Sequence, residues 1–304
     1  MQVAPGIAVG PEDEASWMRD AVLAAGARET TLPEADALIW FGRPEQLAPL
    51  LVDAPRLRWV RLPSAGIEDY LPLMGPAIET WTAAKGVYAD PCAEHALGLT
   101  IAGFRHFEAA ARTRTWRKGP GKTLFDARAV IVGGGGIAQS LIRLLKPFRV
   151  HVTVVRRQPE ATPGADRTVS PKQLMETLGD ADLLVLAAPL TTETELMVSE
   201  PQLRAMKHDA WLINVARGRL VNTDDLVRAL REHWIGGAGL DVTDPEPLPD
   251  GHPLWQLDNC IITSHTANPP NLDRDLFRKR IIENVRRFVG GEHLLGLIDR
   301  TAGY

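Results

Sequence analysis

Apolar positions fall into two rhythms along the chain: short continuous runs, and longer stretches in which apolar residues recur every third or fourth position. Near the N-terminus the runs "GIAVG", "DALIWFG", "LRWVRLP" and "TWTAAKG" read as strands, with "EASWMRDAVLAAG" and "PEQLAPLLVDAP" as helices among them. Strands alternating with helices predict a parallel sheet covered on both faces. Residues 90 to 116, "DPCAEHALGLTIAGFRHFEAAARTRTW", read as one long helix whose wide apolar face can serve both a core and a partner subunit. A second alternation follows. "ARAVIVG", "VHVTVV", "ADLLVLAAP", "AWLINVA", "GGAGLDV" and "CIITSH" predict six strands, with helices "PKQLMETLG", "EPQLRAMK" and "TDDLVRALREHW" between them. After Pro269 and Pro270, "NLDRDLFRKRIIENVRRFVGG" is an amphipathic helix with Leu272, Leu276, Ile281, Val285 and Phe288 near one stripe.

The pattern predicts an α/β chain of two doubly wound parallel-sheet domains. Residues 1–92 and 271–304 form a discontinuous substrate domain, and residues 93–270 are the domain inserted into it. Composition adds exclusions. With 45% hydrophobic and 24% charged residues, the 304-residue chain has the balance of an ordinary globular protein. A net charge of -4 offers no broad positive field to nucleic acid or an anionic membrane. Cys92 and Cys260 stand far apart with no CxxC spacing, which predicts free thiols and no metal centre. The first residues lack the basic start of a secretory signal, and runs such as "LLVLAAPL" are too short to span a bilayer, so the expected location is the cytoplasm.

"AVIVGGGGIAQSLIRLL", residues 129 to 145, places glycines between a strand and a helix. Gly133, Gly135 and Ala138 fit GxGxxG/A: one glycine for the turn, one for approach to a pyrophosphate, and one small residue for helix–strand packing. The helix start at Gly136 and Ile137 presents free N–H groups and the positive dipole end to an anion. "GPGKT" at 119 to 123 imitates a phosphate loop, but Trp116 stands where that pattern needs glycine, and a strand follows it instead of a helix. About twenty residues beyond Gly133, where an acid would take the ribose 2′-hydroxyl, stand Arg156 and Arg157. Two guanidiniums there suit the 2′-phosphate of NADP, with NAD as the alternative coenzyme.

Arg217, Asp241, Glu246 and His265 follow strands of this second series, where ligands of open α/β sheets bind. A resemblance of these stretches to the D-2-hydroxyacid dehydrogenases implies reduction of a 2-keto acid, which needs a hydride, a proton for the oxygen, and a cation that anchors the carboxylate and polarises the carbonyl. Glu246 beside His265 would favour the imidazolium and keep that proton at hand. Arg217 can fork onto two oxygens, as lysine cannot. Ser64, Ala65 and Gly66 allow close N–H contacts to a carboxylate. His252 is the nearest competitor to His265, while His95, His106, His151, His208, His233 and His293 fall in or beside helices and strands, where structural roles are expected.

With these residues the chain resembles the D-2-hydroxyacid dehydrogenases, the NAD(P)-dependent family that includes glyoxylate and hydroxypyruvate reductases. "VRLPSAGIEDY", "TAAKGVYADPCAEHALGL", "VIVGGGGIAQSL", "ADLLVLAAPLTTETELMV", "LINVARGRLVNTDDL", "GLDVTDPEPLPDGHPLW" and "IITSHTA" occur in the family's order. The resemblance implies Rossmann-like domains and a small 2-keto or 2-hydroxy acid substrate. It makes Arg217 the substrate arginine, Glu246 the partner of the acid/base His265, and Asp241 a contact of the nicotinamide end. Ser64, Ala65, Gly66 and Ile67 become the loop on the substrate carboxylate. Gly133, Gly135, Gly136, Ile137, Arg156, Arg157, Ala188, Pro189, Thr194, Val215 and Ala216 become the other cofactor contacts. It also implies a homodimer through helix 91–116. Two departures stand out: Arg156 in place of an acid, and "TANPP" after His265 where relatives often have a glycine-rich loop. A cofactor-sensing scaffold, like the corepressors on this fold, is the competing function, and a turnover assay separates the two. A methyltransferase using the same glycine loop would leave Arg217, Glu246 and His265 unexplained.

Overall fold

The computed structural model describes residues 4–116 and 118–304, so the first three positions of the predicted 1–92 segment lie outside the described residues. Contacts divide the chain into two units, Met1–Tyr88 with Pro270–Tyr304, and Ala89–Pro269. The first contains β1 (Gly6–Gly10), α1 (Ala15–Ala24), β2 (Arg28–Glu29), β3 (Ala37–Trp40), α2 (Pro44–Leu47), β4 (Trp59–Arg61) and β5 (Thr80–Thr82). The second runs through α3 (Ala89–Phe104), α4 (Phe107–Arg112), β6 (Arg128–Val132), α5 (Gly136–Leu145), β7 (His151–Val155), β8 (Arg167–Val169), α6 (Leu174–Leu178), β9 (Leu183–Leu186), α7 (Glu200–Ala205), β10 (Trp211–Asn214), α8 (Thr223–Arg231), β11 (Gly237–Leu240) and β12 (Cys260–Ile262). The final helix, α9 (Pro270–Gly290), packs against α1 in the first unit.

Both sheets are parallel throughout. The first has the order β2-β1-β3-β4-β5 and the second β12-β11-β10-β9-β6-β7-β8. In the second, the strand order reverses at β6 and β9, whose ends Val132 and Leu186 are register partners. That reversal opens a crevice at the carboxyl ends of the strands. The continuous apolar runs arise because each strand is buried on both sides. In β6, Val130 and Val132 enter one core while Ala129 and Ile131 enter the other, and in β9 Leu184 and Leu186 oppose Leu183 and Val185 in the same way. The first sheet repeats the device, with Ile39 and Trp59 on one face and Leu38 and Val60 on the other.

The elements correct the sequence reading in four places. The predicted helix 90 to 116 is two helices, because the Phe104 carbonyl, which a continuous helix would offer to residue 108, accepts from Lys122 N at 2.7 Å instead. His106 then takes a left-handed turn at φ 49. The second sheet has seven strands, not six. β8 was missed because its three residues, "RTV", contribute a single buried side chain, Val169. β2 in the first sheet is two polar residues and carries no apolar signal. On α9 the stripe is rotated: Leu272 is 41% exposed, while Phe277, with Ile281 and Val285, is fully buried. Phe277 meets Phe41 and Trp17 edge-on at centroid distances of 5.0 and 6.0 Å.

Among the described residues, no helix is long and apolar enough to cross a membrane. The rotated stripe makes a testable contrast. Phe277→Ala should destabilise the protein by about 3–5 kcal/mol in urea unfolding, and Leu272→Ala by less than about 0.5 kcal/mol. Equal losses would restore the stripe read from the sequence.

Candidate active site

The glycine junction sits at the strand-order reversal. Gly133 has φ +107, and a Cβ there would lie 2.5 Å from the Ala187 carbonyl oxygen, so the turn after β6 presses backbone to backbone against the end of β9. Side chains other than glycine are excluded on both counts. Gly135 is the N-cap of α5 and supplies no side-chain bond to the first turn, and a Cβ on it would meet open space. The first-turn N–H groups, from Gly136 and Ile137 onward, therefore stand ready for an anion beside an open approach. Ala138 is fully buried, as the close packing of helix on strand requires. These features fit a dinucleotide pyrophosphate.

Arg156 follows β7, and its backbone N–H donates to the Val169 carbonyl of β8 at 3.0 Å. Its side chain lies across Gly134, with Cδ 2.9 Å from where a Cβ would sit. The guanidinium is thereby placed over the glycine turn, and Arg157 beside it is exposed. Beyond β9, the loop holding Ala188 and Pro189 is closed by Thr194, whose hydroxyl donates to the Pro189 carbonyl at 2.7 Å and accepts from Thr191 N at 2.8 Å.

The turn after β10 is built by Asn214. Its side-chain carbonyl accepts from Ala216 N at 3.0 Å, and its amide donates to the Arg217 carbonyl at 2.8 Å. Val215 and Ala216 are buried, and half-buried Arg217 donates from Nη1 to the Ala216 carbonyl at 2.6 Å. Gly218 fixes this turn against the next loop, since a Cβ there would lie 1.9 Å from the Thr243 carbonyl oxygen. Thr223 adds a bond from its hydroxyl to the Asp244 carbonyl at 2.7 Å. The loop carrying Glu246 is thus docked on the loop carrying Arg217.

Asp241 organises the third loop. Its buried carboxylate accepts from the Thr263 hydroxyl at 2.6 Å, Thr266 N at 2.9 Å and Ala267 N at 3.0 Å. Its backbone carbonyl accepts from His265 N at 2.8 Å. Held on both sides, His265 takes φ 53, and its Nδ1 lies 2.6 Å from Glu246 Oε1. A carboxylate can only accept, so Nδ1 carries the proton of that bond and Nε2 is left for other partners. The sequence-predicted Glu246 and His265 are therefore joined directly, and Arg217 is tied to the Glu246 loop through Gly218.

His95 is closer to this cluster than the sequence suggested. Its Nε2 stands 2.8 Å from Thr263 Oγ1 and 3.4 Å from Asp241 Oδ1. Because Thr263 gives its hydrogen to Asp241, its oxygen accepts from His95 Nε2–H. One turn earlier on α3, burial pushes the Cys92 thiol up to about 12, with Asp241 reinforcing the shift and Arg217 opposing it. Both charged groups thus reach the same face of α3. The spacing of Cys92 and His95 on one helical face was the available signal. His252, the competitor that the sequence offered, caps the short helix Pro253–Gln256, its Nδ1 accepting from Leu254 N at 3.3 Å.

In the first unit, the loop Ser64–Ile67 follows β4. Among the described residues, none of its four backbone N–H groups donates to another backbone group, while the Ser64 hydroxyl donates to the Gly66 carbonyl and the Ser64 carbonyl accepts from Ala84 N at 2.8 Å. Four adjacent N–H groups without a backbone acceptor are a candidate nest for an anion.

The family model "D-isomer specific 2-hydroxyacid dehydrogenase, NAD binding domain" matches residues 97–267. A glyoxylate reductase of Pyrococcus furiosus is 32% identical over 260 residues, spanning 79% of this chain and 75% of its own. An uncharacterized protein of Corynebacterium melassecola is 40% identical over 296 residues, 93% of this chain and 95% of its own. The structure of a D-isomer specific 2-hydroxyacid dehydrogenase from Xanthobacter autotrophicus Py2, in complex with NADPH and MES, superposes with a TM-score of 0.86 at 26% identity, covering 99% of this chain and all of that one. With a glycine turn at the sheet's reversal and a histidine–carboxylate pair beside an arginine loop, the chain belongs to the D-isomer specific 2-hydroxyacid dehydrogenase family, whose members use NAD(P).

Proposed function

We propose that the protein reduces a small 2-keto acid to the D-2-hydroxy acid with NADPH, glyoxylate and hydroxypyruvate being the first substrates to test. The observation that carries this reading is the 2.6 Å pair between Glu246 Oε1 and His265 Nδ1. NADPH, when bound, supplies the hydride to the carbonyl carbon. The chain's residues supply everything else. Glu246 accepts from Nδ1–H and holds the imidazole in one orientation, so that Nε2 delivers the proton to the carbonyl oxygen. Arg217 polarises that carbonyl and takes a carboxylate oxygen through its fork. The N–H groups of Ser64, Ala65, Gly66 and Ile67 accommodate carboxylate oxygens in the first unit.

Cofactor contacts follow the same logic. Gly133, Gly135, Gly136 and Ile137 take the pyrophosphate, and Ala188, Pro189, Thr194, Val215 and Ala216 line the neighbouring strand ends. Asp241 serves the nicotinamide end chiefly by holding residues 263–267 in place. Arg156, lying over Gly134, and Arg157 take the 2′-phosphate. The NADPH complex of the Xanthobacter relative supports that coenzyme. The expected homodimer would use residues 91–116, where Phe107 and Trp116 are exposed.

Three measurements test this. His265→Ala should lower kcat by about 10²–10⁴-fold with NADPH affinity unchanged; unaltered kcat would remove His265 as the acid, and no turnover by the parent protein on any 2-keto acid would favour the scaffold reading. Replacing Arg156 and Arg157 by glutamine should cut the preference for NADPH over NADH at least tenfold, about the worth of one charge-assisted contact. An unchanged ratio would refute the phosphate contact. Light scattering should return twice the chain mass, and a monomer would end the dimer proposal.

A further inference from the structure

Among the described residues outside the site just described, one charged side chain is fully buried: Arg61, the last residue of β4. Nη1 donates to the Leu62 carbonyl at 3.0 Å, and the guanidinium carbon lies 4.4 Å from the centre of the Phe277 ring. Nε and Nη2 have no hydrogen-bond partner among the described residues. Among the described residues, no carboxylate is paired with it. Burial pushes Arg61 down to about 9, the like charge of Arg280 pushes the same way, and only Tyr88 opposes. At neutral pH the group is still a cation. An arginine in this state destabilises a fold, and an apolar residue of similar volume would be better tolerated there.

Its position gives the charge a use. Leu62, whose carbonyl it holds, is two residues before the N–H run of Ser64–Ile67, and Tyr88 donates its hydroxyl to the intervening Pro63 carbonyl at 3.3 Å. These two bonds fix the carbonyls of the segment that leads into the loop, with the cation at its start. Buried in an apolar face, it is poorly screened and acts on any charge docked there.

We infer that Arg61 is a specificity-determining residue of the Ser64–Ile67 loop: its uncompensated buried charge, held at the start of the segment leading into the loop through the Leu62 carbonyl, selects substrates that bring a carboxylate anion to those N–H groups. Arg61 touches no substrate. It makes the loop a charged receptor where N–H groups alone would make a dipolar one, and the docked carboxylate is the counterion it lacks. This rests on the reading of Ser64–Ile67 as the carboxylate loop.

The test uses the NADPH-loaded enzyme with Arg61→Met, Arg61→Lys and Ala65→Pro, the last deleting one nest N–H. Arg61→Met should raise KM for glyoxylate about tenfold with kcat within about threefold of the parent and NADPH affinity unchanged, whereas Arg61→Lys, assayed at pH 6 so that an ammonium lowered by burial stays protonated, should stay within about threefold in KM. Without substrate, Arg61→Met should melt at a temperature no lower than the parent, and oxalate, a non-reducible anion, should raise its melting point less than the parent's. A parental KM and oxalate shift in Arg61→Met overturns the inference. So does an equal rise in KM for Met and Lys, which would make the effect one of packing. If Ala65→Pro raises KM and Arg61→Met does not, the loop reading stands and the role of Arg61 falls; if neither raises KM, both fall.

Discussion

The buried carboxylate of Asp241 is the constraint on which the second unit's chemistry depends. An ionised group out of water must be surrounded by donors, and here the donors come from one short segment, Thr263, Thr266 and Ala267. That requirement dictates the path of the chain after β12. With the segment wrapped around the carboxylate and His265 N bound to the Asp241 carbonyl, His265 is driven to φ 53, a conformation costing a non-glycine residue about 1–2 kcal/mol. The gain is directional. Its imidazole meets Glu246 at 2.6 Å although both side chains are about half exposed, with 54% and 41% of their surface open. An exposed ion pair contributes little to stability. Its geometry is maintained by the buried anchor, not by the pair's own attraction.

Two glycines extend the same principle. Gly218 lets the Arg217 turn settle on the Thr243 carbonyl, and Gly133 lets the nucleotide turn settle on Ala187. In each case backbone touches backbone, and a long polar side chain beside the contact, Arg217 or Arg156, inherits a defined origin. A flexible arginine whose stem is already placed has less freedom left, so the contacts at 218 and 133 order the two side chains as well as the turns.

Much of this was legible in the sequence for a physical reason: in a doubly wound sheet the chemistry stands directly after buried runs, and buried runs are the strongest signal a chain carries. "LINVARG", "GLDV" and "IITSH" announce both strand and site. What was hidden depends on distant partners. The break at His106 follows from Lys122 N capturing the Phe104 carbonyl, and the contact of His95 with Thr263 spans 168 residues. β8 lacks an apolar run altogether, although it fixes the backbone of Arg156. Phe277 replaces Leu272 on the buried stripe because two aromatic rings of the first unit await it.

Arg61 was hidden differently. In "LRWVRLP" it alternates with Trp59 and should share that residue's face, yet a charge at such a position reads as the exposed end of a strand. Alternation was the better guide: Trp59 is fully buried, and Arg61 is buried with it against Phe277. Local rules are broken here as they are at His265, once by an uncompensated charge and once by backbone conformation. Arg61 ends β4 and His265 lies just beyond β12, both at the carboxyl ends of parallel strands, where ligands of open α/β sheets bind.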